Sequence, residues 1–323
     1  MSVEARAPRP PFAHHHEVLL LVVLVLVVGF LGVGTSNFLT VGNVLNQGRL
    51  MTEVALVALP MTYIIITGGI DLSVGSILGL SAIMLGIAWK SLGLPLELAI
   101  VFAIGVGALA GFFNGLLIVL LRVPSLIMTL ATLALYRGLA EGISEARSVR
   151  GYPEWFFVLG QGNVFGVPTQ LWILLVAIII FWVVLARTTF GRSLYAIGSN
   201  EEAARFSGIP VDRVKLIIYS LSGTMAGLAG YIFVSRVSTT RSDMGTGLEL
   251  DAIAAVVLGG TSIFGGVGTI AGTVIGFTLI QLLKNGLALS GVKGDATIVV
   301  IGTVLILSIL VSNFLQRRRG AAG

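Results

Sequence analysis

Few side chains in this 323-residue chain can do chemistry, and their positions limit what chemistry is open. Asp71 lies between two apolar runs beside Gly68 and Gly69. Glu53, and Glu249 with Asp251, open apolar runs, while His14, His15 and His16 are adjacent. Three neighbouring histidines on one short stretch cannot all face one ion, and no carboxylate cluster completes a site, so the triplet reads as an interfacial tail and no metal is expected. The chain has no Cys, which removes disulfides and thiolate chemistry. None of the lysines Lys90, Lys215, Lys284 and Lys293 closes a phosphate-binding GxxxxGK(S/T) loop, so ATP hydrolysis by that route is excluded. No catalytic constellation or cofactor motif is found, and no enzyme is expected.

The elements that must position these residues are membrane spans. Hydrophobic residues make up 56% of the chain and charged ones 11%, and the mean hydropathy is +1.00. Apolar runs recur at about 18–33, 52–67, 72–89, 96–121, 125–143, 171–187, 214–235, 249–263, 268–288 and 295–313. A helix of roughly 20 residues crosses the ~30 Å hydrocarbon core, so the expected fold is an all-α polytopic membrane protein of about ten spans. The run at 249–263 is brief before Gly259 and Gly260 and is expected to be a broken or tilted helix rather than a full crossing. The 42 glycines are read as close helix packing in lipid.

Residues 18–316 form the membrane domain, flanked by tails at 1–17 and 317–323. Arg6 and Arg9 precede the first run, which reads as an uncleaved helix. The net charge of +5 forms no aromatic-interleaved stripe, so lipid rather than nucleic acid is the expected partner. With ten spans both termini, Arg122, the segment Arg187 to Lys215 and the Arg317 to Arg319 anchor share one side. The slight excess of basic residues there marks it as cytoplasmic. The external connection from Ser144 to Gln170 suits a surface cap.

An unpaired carboxylate near the bilayer centre costs roughly 2.5–3.5 kcal/mol on insertion scales. Asp71, expected near the cytoplasmic end, therefore either caps a helix starting at Leu72 or serves a gate or partner contact. Glu53, Glu249 and Asp251 fall near the outer face, where they either snorkel or meet a partner or solute. Thr67, Asn114, Thr129, Thr132, Gln281 and Asn285 offer hydrogen bonds to a solute or to other helices. Two segments look alike, Gly68–Gly75 and Gly259–Gly266: each follows a run and opens the next with small residues, as in an inverted repeat or a chance pair of hairpins.

The longest cytoplasmic polar interval, Gly191 to Lys215, has its own pattern. Ser199 or Asn200 can cap a helix over 201–207 whose first turn holds Glu201 and Glu202. Gly208 ends it and Pro210 prevents its continuation. Within the loop 188–213, Glu202, Ala203, Ala204, Gly208, Ile209 and Pro210 resemble the coupling motif of permease subunits in bacterial ATP-binding-cassette importers; a plain amphipathic surface helix has the same spacing. The segments Thr67–Gly86 (with Ser73), Asn114–Gly115, Arg122–Leu130 (with Thr129) and Leu258–Gly266 are similar to permeases for ribose, xylose, rhamnose and autoinducer-2, in order, between about residues 50 and 313. Asp243–Asp251 and Gly291–Asp295 look most like the rhamnose and autoinducer-2 members.

The resemblance implies a multi-pass subunit of the bacterial inner membrane that imports a monosaccharide or sugar-like solute. It also implies separate cytoplasmic ATPase subunits, a periplasmic solute-binding protein, and a second permease, identical or related. Gly68, Gly69, Asp71, Ser73, Asn114, Thr129, Gly259, Gly260 and Asn285 are then candidates for gate or pathway, and Glu53, Glu249 and Asp251 for binding-protein contact. An ion-coupled transporter, the first rival, would need ionisable residues in mid-span; a scaffold or sensor would need a soluble interaction domain.

Overall fold

The computed structural model describes residues 12–35, 37–145 and 147–292, and beyond them 296, 299, 302 and 303; side chains are described from residue 17 onward. The tails, the run at 295–313 apart from those single positions, and the side chains of His14 to His16 lie outside the described residues.

The described chain is all-α apart from one tiny hairpin. Seven helices are long and apolar enough to cross a membrane: α1 (Phe12–Gly34, apolar from Glu17), α2 (Val41–Ile66), α4 (Leu96–Leu121), α5 (Ser125–Ser144), α7 (Thr169–Arg187), α10 (Val211–Val237) and α12 (Ile270–Leu289). Two apolar helices are shorter. α3 (Val74–Lys90) has 17 residues and α11 (Leu248–Leu258) has 11, or about 25 Å and about 16 Å at 1.5 Å per residue. Each is completed by unwound chain, at 67–73 before α3 and 259–269 after α11. The break expected in the run at 249–263 therefore falls after Leu258.

Two boundaries differ from expectation. α2 begins at Val41, not near residue 52, with Thr40 as N-cap accepting from Asn43 N. Hydropathy misses this first part because Asn43 and Gln47 are polar, yet both bond to α12: Asn43 and Asn285 pair reciprocally at 2.8 and 3.1 Å, and Gln281 donates to Gln47 at 2.8 Å. Glu53 thus stands in the middle of a helix rather than at its mouth. The interval at 188–213 contains two helices, α8 (Thr189–Ser199) and α9 (Glu201–Phe206), where one was expected. α8 was hidden because only Gly191, Leu194 and Ile197 of its face are buried.

α10 is the spine, with α2, α3 and α4 packed along it. Its closest neighbour is α4, because Gly107 and Gly111 face Gly223 and Gly227 at four-residue spacing. A Cβ on Gly223 would overlap the Gly107 carbonyl, and one on Gly111 would overlap the Tyr219 carbonyl. α2 is largely enclosed, whereas α1 is mostly exposed and packs on the bundle through Leu20 and Leu31.

Contacts between helix ends fix the two ends of the bundle. At the end carrying α8 and α9, Thr269 donates to Glu17 and Gly266 N donates to Ile66 O. At the opposite end the connection from α5 to α7 forms a cap, with a 3₁₀ turn at Glu154–Phe157, α6 (Val158–Gln161) and the hairpin β1 (Asn163–Val164) and β2 (Val167–Pro168). Trp89, Tyr152 and Phe156 stack there at 4.5 and 4.3 Å. Ser235 of α10 receives Gly160 N and donates to Phe156 O.

The close approach of α4 and α10 makes a specific prediction. Gly111→Leu or Gly223→Leu should lower the melting temperature of detergent-purified protein by the equivalent of about 2 kcal/mol or more. Gly105→Leu, where a Cβ meets nothing within 4 Å, should leave it unchanged.

Candidate functional site

The unwound stretch at 67–73 needs partners for its backbone, and it finds them on α2, on α5 and in its own Asp71 side chain. Gly68 N and Gly69 N fold back to Ile65 O and Ile64 O of α2. Ile70 N donates to Ser125 Oγ and Leu72 N to Thr129 Oγ at the start of α5, and Thr129 Oγ also reaches Ile70 O. Asp71 is fully buried and accepts three bonds: from Ser73 N (3.0 Å), Ser73 Oγ (2.7 Å) and Ser222 Oγ of α10 (3.0 Å). Asn114 of α4 donates to Ser73 Oγ and accepts from Tyr136 of α5. Gly68, Gly69, Asp71, Ser73, Asn114 and Thr129 are therefore one connected cluster.

Asp71 lies deeper than the sequence suggested. Ser222 is eleven residues beyond the start of α10, or about 16 Å along its axis. Nor does Asp71 cap a helix starting at Leu72: α3 begins at Val74, and Asp71 closes a local turn on Ser73 ahead of it.

The second glycine segment meets the first. Gly266 N donates to Ile66 O at 2.8 Å, and Gly265 lies against Gly198 at the end of α8 and against Gly68 N. A Cβ on Gly198 would overlap both Ile66 O and Gly266 N. Three backbones thus touch with no side chain between them: the end of α2, the α8–α9 corner and the loop after α11. Both glycine segments turn through a left-handed residue, Gly68 (φ 79°) and Gly260 (φ 89°).

α9 is clamped to the bundle. Asn200 caps it, accepting from Ala203 N, and Ala204 is buried. Glu201 binds Lys215 at 2.7 Å and Arg205 at 3.1 Å, while Arg205 also binds Asp212 at 2.5 Å. Burial alone would raise the Glu201 carboxyl, but the hydrogen bonds and charges of Lys215 and Arg205 outweigh it and hold the carboxyl below its ordinary range. Gly208, at φ 82°, ends the helix, and Ile209 N closes on Ala204 O.

The face turned away carries Glu202, Ala203 and Phe206, the last 91% exposed. Sequence reasoning passed over Phe206. Its signal was a large aromatic on the short polar helix after Asn200.

Between α9, the start of α10, the α4–α5 corner and Thr67–Ile70 lies a cleft of about 780 Å³. Arg122, Glu201, Glu202, Arg205, Asp212 and Lys215 give it a mixed-charge rim, and Tyr219 lines it. Of the remaining candidates, Glu53, Glu249, Asp251 and Asn285 lie toward the other end, whereas Gly259 and Gly260 belong to the loop at the α9 end. Glu53 is buried and ion-paired with Arg236 at 2.7 Å, and Asp251 is paired with Lys284 at 2.6 Å. Glu249 accepts from Gly247 N. Asn285 joins Asn43 there and has no part in the Asp71 cluster. Gly259 packs on Gly272 of α12.

Comparison with known proteins extends over nearly the whole chain. Residues 43–309 match the family described as the permease component of the branched-chain amino acid transport system. The ribose import permease of Bacillus subtilis (strain 168) is 43% identical over 303 residues, 93% of this chain and 92% of the relative. That of Escherichia coli (strain K12) is 40% identical over 302 residues, 91% and 92% of the two chains. The autoinducer 2 import system permease of Yersinia enterocolitica is 36% identical over 319 residues, 94% and 96% of the two.

Two outcomes follow from the site. Asp71→Ala orphans buried donors at roughly 1–3 kcal/mol each and should lower the melting temperature of purified protein, whereas Asp71→Asn, which keeps an acceptor for Ser73, should lie near wild type. A carboxyl held low contributes its anchoring above its ordinary value and loses it only as pH falls through the lowered value. Proteolytic nicking at 200–210 should therefore be constant from about pH 8 to about pH 5 and rise in stronger acid; Lys215→Met should move that rise to higher pH.

Proposed function

The chain belongs to the permease-component family that its residues 43–309 match, and from that premise we propose that it is the membrane-spanning subunit of an ATP-driven, binding-protein-dependent importer for a monosaccharide or sugar-like solute. The activities of its relatives, ribose import and autoinducer 2 import, support this solute class. Ribose-type sugars and autoinducer-2 are the first candidates; the Bacillus subtilis and Escherichia coli ribose permeases share the higher identity. Rhamnose rests on the local segments alone.

One observation carries the mechanism: α9 is clamped by ion pairs to α10 and joined backbone to backbone, through the α8 corner, to the end of α2 where the helix breaks. A partner that grips the exposed face around Glu202 and Phe206 therefore moves the segment 67–73, which runs to Asp71 inside the bundle. In this reading the α9 end and both termini are cytoplasmic, two separate ATPase chains dock there, and ATP-driven closure of those chains turns the pathway outward. The pathway is completed by a second permease, a copy of this chain or a relative. The binding protein delivers solute at the opposite end, near the partly exposed Glu249 and Asp251; Glu53, being buried, supports the helices beneath.

A carboxylate at depth is also what an ion-coupled transporter uses. Here both Asp71 oxygens are occupied by donors from Ser73 and Ser222, which favours a structural role in the break. Vesicles holding this chain, its ATPase and its binding protein should accumulate ribose or autoinducer-2 only with ATP; uptake persisting without the ATPase would overturn the reading. Glu202→Ala, and Gly208→Val, which forces a β-branched residue into a left-handed conformation at about 1–2 kcal/mol, should cut uptake at least tenfold while ATP hydrolysis continues.

A further inference from the structure

We propose that the loop after α11 is a second docking point for the ATPase, with Phe264 as its anchor, so that the energy of ATP reaches the broken helix by two contacts rather than through α9 alone. The inference rests on the importer reading above. Phe264 is 88% exposed, on the same end of the bundle as Phe206. Its neighbours place it off the lipid: its carbonyl lies 3.8 Å from a Cβ built on Gly68, which lines the cleft rimmed by Glu202 and Arg205, and such a charged rim faces water, not hydrocarbon.

The loop that carries Phe264 is braced. Gly265 N closes on Ser262 O, Ser262 N on Val267 O, and Gly266 N on Ile66 O. Tyr195 of α8 donates to Gly268 O at 2.7 Å. A load on the aromatic ring therefore passes to the end of α2 through backbone alone.

The surface also states the chemistry of its partner. Phe206 and Phe264 are large apolar anchors of the kind that dominate interfaces when a pocket encloses them. Glu202 stands exposed on α9, and among the described residues no cation pairs with it. The fitting groove presents two apolar pockets, with a basic residue beside the one that takes Phe206. An ATPase subunit that grips α9 is the occupant that reaches both.

The test uses the intact importer in vesicles. Because the chain has no Cys, Phe264→Cys carries a single maleimide–benzophenone cross-linker, with Leu109→Cys on the outward face of α4 as the control. Illumination should join the ATPase to position 264 and not to position 109. Phe264→Ala, like Phe206→Ala, should lower permease-dependent ATP hydrolysis and ATPase retention on an affinity-tagged permease about tenfold, and Phe264→Tyr should restore most of it. Adducts only to lipid or to a second permease, or wild-type retention by Phe264→Ala while Phe206→Ala fails, would overturn the inference alone. A wild-type permease that retains no ATPase would overturn the importer reading and the inference with it.

Discussion

A polypeptide that leaves its helix inside a membrane must find a partner for each backbone group it frees, because hydrocarbon supplies none. The stretch from Thr67 to Ser73 meets that demand with α2 carbonyls, two hydroxyls of α5 and the Asp71 carboxylate. The partners of this one stretch fix where several helices stand. Ser125 and Thr129 place the start of α5, Ser222 places α10, and Asn114 ties α4 to the unwound stretch through Ser73 and to α5 through Tyr136. Asp71 is therefore held by donors rather than by a cation, and it stays where a lone carboxylate would be costly.

Small residues turn this local satisfaction into a rigid body. α4 and α10 meet at glycines, and the α8 corner, the end of α2 and the loop after α11 meet at Gly198, Ile66 and Gly266. Where backbone touches backbone no side chain can rotate to absorb a displacement. Movement imposed at α9 is passed on rather than dissipated, and the ion pairs of Glu201, Arg205, Asp212 and Lys215 keep α9 from sliding on α10. The bundle thereby gains a handle that reaches its interior.

Much of this was legible in the sequence. Apolar length gave the spans, and Gly208 and Pro210 gave the end of α9, because a left-handed turn and a missing N–H are local facts. The similarity of the two glycine segments was visible too, but not that they touch, since contact between residues 66 and 266 depends on the whole bundle. Polar residues with distant partners were misread for the same reason. Asn43 and Gln47 look like loop until α12 supplies Asn285 and Gln281, and Glu53 looks like a mouth residue until α10 supplies Arg236. α8 escaped notice because its apolar side is narrow, and Phe206 because exposure cannot be read from a residue's type.

The central claim is that α9, the loop after α11 and the end of α2 move as one body. The most direct measurement is the distance between spin labels on Ser207→Cys and Ile263→Cys within one permease of the reconstituted importer, with and without ATP. That distance should stay narrow and unchanged, while a label on Ser207→Cys moves relative to one on Phe165→Cys at the far cap. A Ser207-to-Ile263 distance that shifts or broadens when ATP binds would contradict that claim.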